Sequence, residues 1–212
     1  MLYLLRERSL PVLPIDEEGL AQAKHPPLYY LATAAVSAWA DMSCRGFVPN
    51  PHFTFNLEAP SSPNAFVHFP FARFPYADAE GLLAVRLMRL VSIACGAVVV
   101  AATYALGRAL WPDRRYLHWG SAAAVAFLPG FLFMSGVVNN DTMANAFSAL
   151  VLVGAVRVAM GHDSRRDLVF LGAALGLGLL TKLTIIAALG VAGLGVLVHA
   201  YRTRQPRWLL PA

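Results

Sequence analysis

The chain has 212 residues, of which 58% are hydrophobic and only 14% are charged, and its formal net charge is +5. Soluble domains carry about 25% charged residues, so this composition argues against a soluble protein. The basic residues fall in small groups between apolar runs, a pattern typical of membrane topology. This distribution excludes the concentrated basic patch that is typical of nucleic-acid-binding proteins. We therefore expect the chain to lie in a lipid bilayer and to have no nucleic-acid partner.

The first 81 residues differ from the rest, because they hold most of the prolines and most of the acidic residues. The apolar stretch Leu28–Ala40 has 13 residues, about 20 Å as a helix, which falls short of the ~30 Å hydrocarbon core. We predict a helix lying at the membrane interface at about residues 27–41, with its aromatic side chains at the headgroup level. The remainder of 1–81 is interpreted as an extramembrane loop segment.

Residues 82–212 are predicted to form a transmembrane helical module, so the predicted fold class is all-α. A spanning helix needs roughly 20 predominantly apolar residues. We predict five spans, at about Leu82–Trp111, Tyr116–Val138, Thr142–Met160, Leu168–Thr181 and Leu183–Ala200.

The last two spans are short, and the alternative is one helix over Leu168–Ala200, roughly 50 Å long. The positive-inside rule favours the hairpin, because it places the nine arginines that follow the first, third and fifth spans on one side of the membrane. Thr181 and Lys182 would then form the hairpin tip. Residues 1–81, with five basic and eight acidic residues, are expected on the outer side of a cell membrane, either an inner or a plasma membrane.

Two amides and a carboxylate, Asn139–Asp141, stand in the gap between two of these spans, on the same side as the long loop. Asn, Asp and Thr are favoured helix N-caps, and a carboxylate there also faces the positive end of the helix dipole. The functional interpretation is that an ionisable residue at the membrane edge marks a site. Asp141 could then act as a base or bind a divalent cation, although one carboxylate alone makes a poor metal site.

Several basic residues have two interpretations each. Lys182 lies among apolar residues, so it is either a snorkelling lysine or a point charge for a phosphate. Lys24 and His25 precede two prolines and an aromatic helix start, which is either a simple helix entry or a contact to an anionic lipid head. Arg86 and Arg89 lie one turn apart near the end of a span, as interface anchors or as phosphate ligands.

Five segments occur in an order that resembles the GT-C class of membrane glycosyltransferases: "HPPLYYL", a Pro/Asn/aromatic loop, "RLMRLVS", "AFLPGFLFMSGVVNND" and "LGLGLLTKLT". The chain is most similar to the polyprenyl-phosphate-sugar-dependent members, the group of protein O-mannosyltransferases and aminoarabinose transferase, over about Leu2 to Thr184. The resemblance implies transfer of a sugar from a polyprenyl-phosphate carrier to an acceptor on the outer face.

The resemblance also implies roles for individual residues. Asp141 corresponds to an acidic position used for catalysis, donor contact or metal binding, and a divalent cation such as Mg or Mn is the implied cofactor. The residues assigned to the carrier phosphate or the substrate are Lys24, His25, Arg89, Asn140 and Lys182.

The chain departs from this family at its start. Such proteins begin with a transmembrane helix and an Asp-Glu motif that supplies the expected base, whereas "LYLLRERSLPVL" already resembles the part after that motif. Asp16–Glu18 come too late to match and are interpreted as solvated loop charges. We therefore expect a fragment that is weak or inactive alone, unless a partner chain supplies the missing spans.

Two other functions stay open at the level of sequence. One is a non-catalytic module of the same fold that binds lipid-linked sugar or a partner chain. The other, which the sequence favours less, is a transporter subunit, for which internal repeats and polar residues within the spans are expected.

Overall fold

The computed structural model describes residues 25–40, 47–49, 66–68 and 80–203. Within these ranges the elements are, in chain order, α1 Leu28–Ser37, β1 Phe47–Pro49, β2 Phe66–His68, α2 Glu80–Leu110, α3 Arg115–Ala126, α4 Pro129–Gly136, α5 Asn140–Ala159, α6 Arg165–Leu179, a 3-10 turn Leu183–Ile185 and α7 Ile186–Thr203. The two strands form a short antiparallel pair with Val48 opposite Val67.

The chain is an all-α polytopic membrane protein, as the composition predicts. Three described segments are individually long and apolar enough to cross a membrane: Leu83–Leu110, Asn140–Ala159 and Leu183–Thr203. The bent pair α3–α4 makes a fourth candidate. Helix α6 has only 15 residues and is shorter than a full crossing. The division of the chain at residues 81 and 82 stays a prediction.

The predicted span Tyr116–Val138 is broken into two helices, α3 and α4, which meet at an angle of 60°. Pro129 is the first residue of α4, and proline cannot donate the backbone hydrogen bond that would continue α3. Leu128 before it adopts an extended conformation, with ψ 117°, as a residue preceding proline tends to do. The proline in "AFLPGF" is therefore the cause of the bend.

Helix α5 is the centre of the bundle, because it packs against α2, α6 and α7. Its contacts with α6 and α7 form the apolar core, made of Val151, Ala155, Val158, Leu171, Ala174 and Ala192. Small residues let these helices approach closely, as is common between membrane helices. A Cβ on Gly195 of α7 would lie 2.6 Å from the carbonyl oxygen of Ala155 in α5.

The predicted reversal of chain direction between α6 and α7 is present, but the prediction of five spans is wrong within the described residues, because α6 is not among the three or four candidate spans. Arg202 near the end of α7 donates to the carbonyl oxygen of Ala159 at the end of α5, at 3.1 Å. Arg157 near the end of α5 pairs with Asp167 at the start of α6, with 2.7 Å between Nη2 and Oδ1. The end of α5, the start of α6 and the end of α7 therefore share one end of the bundle. Lys182, between α6 and α7, lies at the other end.

Helix α1, within the predicted interfacial segment, turns its polar residues inward. Tyr29, Thr33 and Ser37 recur every fourth residue and are buried, whereas Leu31 and Trp39 are exposed. The Thr33 and Ser37 hydroxyls donate to backbone carbonyls four residues earlier, at 3.0 and 2.8 Å, so their polarity is satisfied within the helix. This inverted pattern suits a helix whose outer face meets lipid. Its depth in the membrane stays a prediction.

Candidate functional site

The candidate site lies where three helix ends meet: the start of α1, the start of α5 and the turn after α6. The backbone N–H of Leu28 donates to the carbonyl oxygen of Leu180 at 2.9 Å. The Asn140 side-chain amide donates to the Tyr30 hydroxyl at 3.4 Å. The Tyr29 hydroxyl hydrogen-bonds to Ser92 Oγ at 2.9 Å. Helix α1 is thereby fixed to the loop that carries the predicted acidic residue.

The start of α5 is capped by Asn139 and not by Asp141. The backbone N–H of Asp141 donates to Oδ1 of Asn139 at 2.9 Å, and Asn139 has the extended backbone of an N-cap residue. The interpretation of Asp141 as the N-cap is therefore wrong, because Asn139 is the N-cap residue. Asp141 lies instead in the first turn of α5, where its carboxylate faces the positive end of the helix dipole.

Lys182 contacts this carboxylate directly. Its Nζ donates to Oδ1 of Asp141, and the Lys182 side chain is only 18% exposed while that of Asp141 is 41% exposed. The snorkelling interpretation of Lys182 is thus replaced by an ion pair between the α6–α7 turn and the start of α5. The partly exposed carboxylate leaves the pair accessible from outside.

The turn that carries Lys182 is tightly held. The backbone N–H groups of Thr181 and Lys182 both donate to the carbonyl oxygen of Gly178, at 2.8 and 3.0 Å. A Cβ on Gly178 would lie 3.0 Å from Ile185 and 3.1 Å from Phe147, so only glycine fits without displacing its neighbours. Hydrogen bonds and close packing thus fix the backbone conformation that positions Lys182, as a preorganised binding group requires.

The remaining predicted phosphate ligands are only partly assembled. His25 is half-buried and lies within electrostatic range of Asp141. Lys24 falls outside the described residues. Arg89 is exposed on α2 and forms no hydrogen bond or ion pair within the part of the chain that the structure describes. The structure thus brings together His25, Asn140, Asp141 and Lys182, and it does not join Arg89 to them.

A divalent cation does not fit the described part of this cluster. Of the carboxylates in the described ranges only Asp141 belongs to it, and these ranges contain no group of three His, Cys, Asp or Glu residues that could hold a metal. The ammonium group of Lys182 against Asp141 also opposes a cation electrostatically. A metal role for Asp141 stays a prediction, and no chemical step is assigned to a metal.

Two contributors to the site were missed in sequence. Tyr30, interpreted as a headgroup anchor, bonds Asn140 instead. Thr142 is buried, and its hydroxyl donates to the carbonyl oxygen of Met134 at 2.9 Å, which ties the start of α5 to α4. Tyr30 lies in the quoted "HPPLYYL" segment, which was a signal for it. Nothing in the sequence pattern pointed to Thr142.

A sequence model described as dolichyl-phosphate-mannose-protein mannosyltransferase matches residues 68–211. The chain belongs to this family. The mannosyltransferase match includes Asp141, Lys182 and Arg89, and it begins after α1 and His25. It confirms the GT-C resemblance drawn from the sequence and agrees with a multi-pass membrane protein. No curated protein and no solved structure matches the chain.

Proposed function

We propose that this chain serves the transfer of a sugar from a polyprenyl-phosphate carrier to an acceptor at the outer face of a cell membrane. Membership of the mannosyltransferase family supports the reaction class and a lipid-linked donor. The observation that carries the assignment to a site is the contact between Lys182 and Asp141 at the joined helix ends. Ionisable residues bordered by apolar spans are costly to place there, so their presence points to a function.

Lys182 is proposed to bind the carrier phosphate. In the transfer, an acceptor oxygen forms a bond to the anomeric carbon of the sugar while the bond from that carbon to the phosphate oxygen breaks. The carrier phosphate leaves with the bonding electrons and gains negative charge. A fixed ammonium group stabilises such developing charge in a site of low polarity. His25, which lies near enough to Asp141 to act on its carboxylate, is a second candidate for contact with the phosphate.

Asp141 is proposed to hold Lys182 in place and to act on the acceptor. Its carboxylate is 41% exposed, so an acceptor hydroxyl can reach it, and a carboxylate can accept the hydroxyl proton as the new bond forms. The Asn139 cap and the Asn140 amide fix the backbone around it. Neither role needs a metal ligand from the described residues.

The outer-face assignment rests on the two ends of the bundle. The end opposite the site carries Arg157 and Arg202, which contact neighbouring helices there. By the positive-inside rule this arginine-rich end faces the cytoplasm, so the site faces outward. Membrane-impermeant thiol labelling tests the orientation: in intact cells, a cysteine at Thr184 should be labelled and one at Arg165 should be protected.

The test of function uses the full chain in liposomes with a mannosyl-phosphoryl-polyprenol donor. The Asp141→Asn and Lys182→Ala variants should lower transfer by roughly 10²–10³-fold, because each removes charge at the reacting atoms. Asp167→Asn is the matched control, since it removes a carboxylate at the opposite end of the bundle. Transfer at the wild-type rate by Asp141→Asn, in a preparation whose wild-type transfer is measurable, would remove Asp141 from the reaction.

Donor binding is measured in the same preparations, because we expect weak transfer from this chain alone. Lys182→Ala should weaken binding of polyprenyl phosphate, and Lys182→Arg should retain part of it. Donor binding without transfer, even when partner chains are added, would make the chain a module that binds lipid-linked sugar. Wild-type-like donor binding by Lys182→Ala would contradict the proposed phosphate contact.

A further inference from the structure

A second cluster of charged and aromatic residues lies at the opposite end of the bundle, around the turn between α2 and α3. We call it the basic aromatic turn, and it consists of Arg108, Trp111, Arg114, Arg115, Tyr116 and Trp119. The aromatic members are unusually open, since Trp111 is 48%, Tyr116 65% and Trp119 66% exposed. About half or more of each of these large aromatic side chains is therefore left uncovered by the described residues.

The side chains of this turn are ordered by their mutual contacts. The guanidinium carbon of Arg108 lies 6.0 Å from the ring centre of Tyr104, whose ring lies 4.8 Å from that of Trp119. Nη1 of Arg114 donates to the Tyr116 hydroxyl at 3.2 Å. A contact of 2.7 Å joins Nε2 of His118 to the carbonyl oxygen of Trp111 and fixes the two helix ends. Arg108 and Arg114 therefore contact aromatic residues, and no described acid pairs with them.

The positive charge of the turn is not neutralised within the described part of the chain. Asp113 is the one acidic residue between Arg108 and Trp119, and no ion pair joins it to a described residue. By contrast, Arg157 at the same end of the bundle is paired with Asp167. Three arginines against one aspartate leave a local charge of +2 on this surface.

The turn lies at the level of a membrane surface. Ser92 of α2 contacts α1 near the candidate site, and Leu110 follows it by 18 residues, about 27 Å along a helix. This distance approaches the ~30 Å thickness of the hydrocarbon core. Trp and Tyr are enriched at such interfaces, and arginine nearby can reach the headgroup phosphates.

We propose that the basic aromatic turn binds the headgroup of an anionic phospholipid in the leaflet opposite the candidate site. The phosphodiester accepts from the guanidinium groups of Arg108, Arg114 and Arg115, and the aromatic rings lie at the boundary between headgroups and acyl chains. This inference is independent of sugar transfer, because it uses another surface and other residues.

The test titrates the full chain, purified in neutral detergent, with phosphatidylglycerol, phosphatidylcholine or inorganic phosphate and detects bound lipid by native mass spectrometry. Phosphatidylglycerol should bind more tightly than phosphatidylcholine. The triple variant R108Q/R114Q/R115Q should weaken phosphatidylglycerol binding at least about tenfold, since a basic residue near the surface contributes appreciably to binding. If inorganic phosphate displaces phosphatidylglycerol at a comparable concentration, the turn is a site for free phosphate, and the proposal of a lipid ligand is overturned.

The matched control is R165Q/R166Q, which also removes arginines at this end of the bundle but none from the turn. It should bind phosphatidylglycerol like the wild type. Equal loss in the control and the triple variant would show a diffuse charge effect and overturn the proposed site. If the triple variant unfolds, Arg115→Gln alone should give a loss of about fivefold, and no loss in that variant would contradict the proposal.

Discussion

Nζ of Lys182 donates to the carboxylate of Asp141, 41 residues earlier in the chain. This contact closes the distance between the start of α5 and the turn that follows α6. The lysine is mostly buried and the aspartate is half exposed, so the pair is neither a surface ion pair nor one cut off from solvent. We therefore expect the ion pair to make a measurable contribution to the free energy of unfolding.

A double-mutant cycle over Asp141→Asn, Lys182→Ala and the double variant should reveal coupling in the free energy of unfolding. We expect about 1 kcal/mol, between the values typical of exposed pairs and of fully buried pairs. Thermal or denaturant unfolding in detergent gives the measurement. Strictly additive effects of the two substitutions would mean that the contact is not maintained in the folded protein.

Much of the helical framework follows from the sequence, and the reason is physical. Long uncharged runs must be buried in lipid or in protein, so helices over Leu82–Trp111 and Thr142–Met160 were predictable, and the structure places α2 and α5 there. The positions of the arginines favour a hairpin over a single long helix at Leu168–Ala200, because the hairpin places them on one side of the membrane. These signals act along the chain and need no knowledge of packing.

The contacts between helices did not follow from the sequence. Asp141 and Lys182 were both singled out and placed at the same face, but apolar periodicity does not tell which polar groups touch. The hydrogen bond between Tyr29 and Ser92 joins residues 63 positions apart, and no local pattern encodes it. The position of Arg89 near the end of a span allows either an interface anchor or a phosphate ligand, and the resemblance favours the ligand, but the described residues do not join Arg89 to the site.

The close approach of α5 and α7 should make Gly195 intolerant of a side chain. Gly195→Ala places a methyl group against the backbone of Ala155, at 2.6 Å from its carbonyl oxygen. We expect a loss of about 1–3 kcal/mol in the free energy of unfolding, as for other overpacked contacts. A lower unfolding midpoint in detergent would confirm it.

Gly193→Ala is the control on the same helix, because a Cβ there meets no atom within 4 Å. This control should be neutral or slightly stabilising, since alanine favours the helix over glycine. If both variants unfold at the wild-type midpoint, the two helices are farther apart than the structure shows.

Removing the Tyr29 hydroxyl should loosen α1. Tyr29→Phe leaves the Oγ of Ser92, which is fully buried, without this partner, at a cost of about 1 kcal/mol. Hydrogen exchange of the α1 amides should become faster while exchange in α5 changes little. Tyr201→Phe is the control, because Tyr201 is 86% exposed. Unchanged exchange in α1 after Tyr29→Phe would contradict the proposed anchoring.

The opposite end of the bundle should carry a pH-dependent contribution to stability from Asp167, which lies in the first turn of α6, before the apolar stretch that starts at Leu168. The hydroxyl of Ser164, followed by the guanidinium of Arg157, holds the pKa of this carboxyl below its ordinary value. Because the pKa is lower in the folded protein than in the unfolded chain, the stabilisation is present above the unfolded pKa, near 4. It is lost as the pH falls through the folded pKa.

The measurement compares the stability of the wild type and Asp167→Asn between pH 7 and pH 3. The wild type should be the more stable at pH 7, and the difference should shrink below about pH 4. Asp113→Asn removes the same charge from a residue that forms no ion pair within the described ranges, and serves as control. A difference that stays constant down to pH 3 would exclude the charge of Asp167 as its source.

The hydrogen bond from the N–H of Leu28 to the carbonyl of Leu180 joins the positive start of one helix to the negative end of another. The accepting carbonyl lies two residues before Lys182 in the same tight turn. A displacement of α1 would therefore pull directly on the backbone that positions Lys182. The position of α1 and the position of the Lys182 side chain are therefore coupled through the backbone. A ligand that binds α1 would restrict the movement of Lys182, and a ligand that binds Lys182 would restrict the movement of α1.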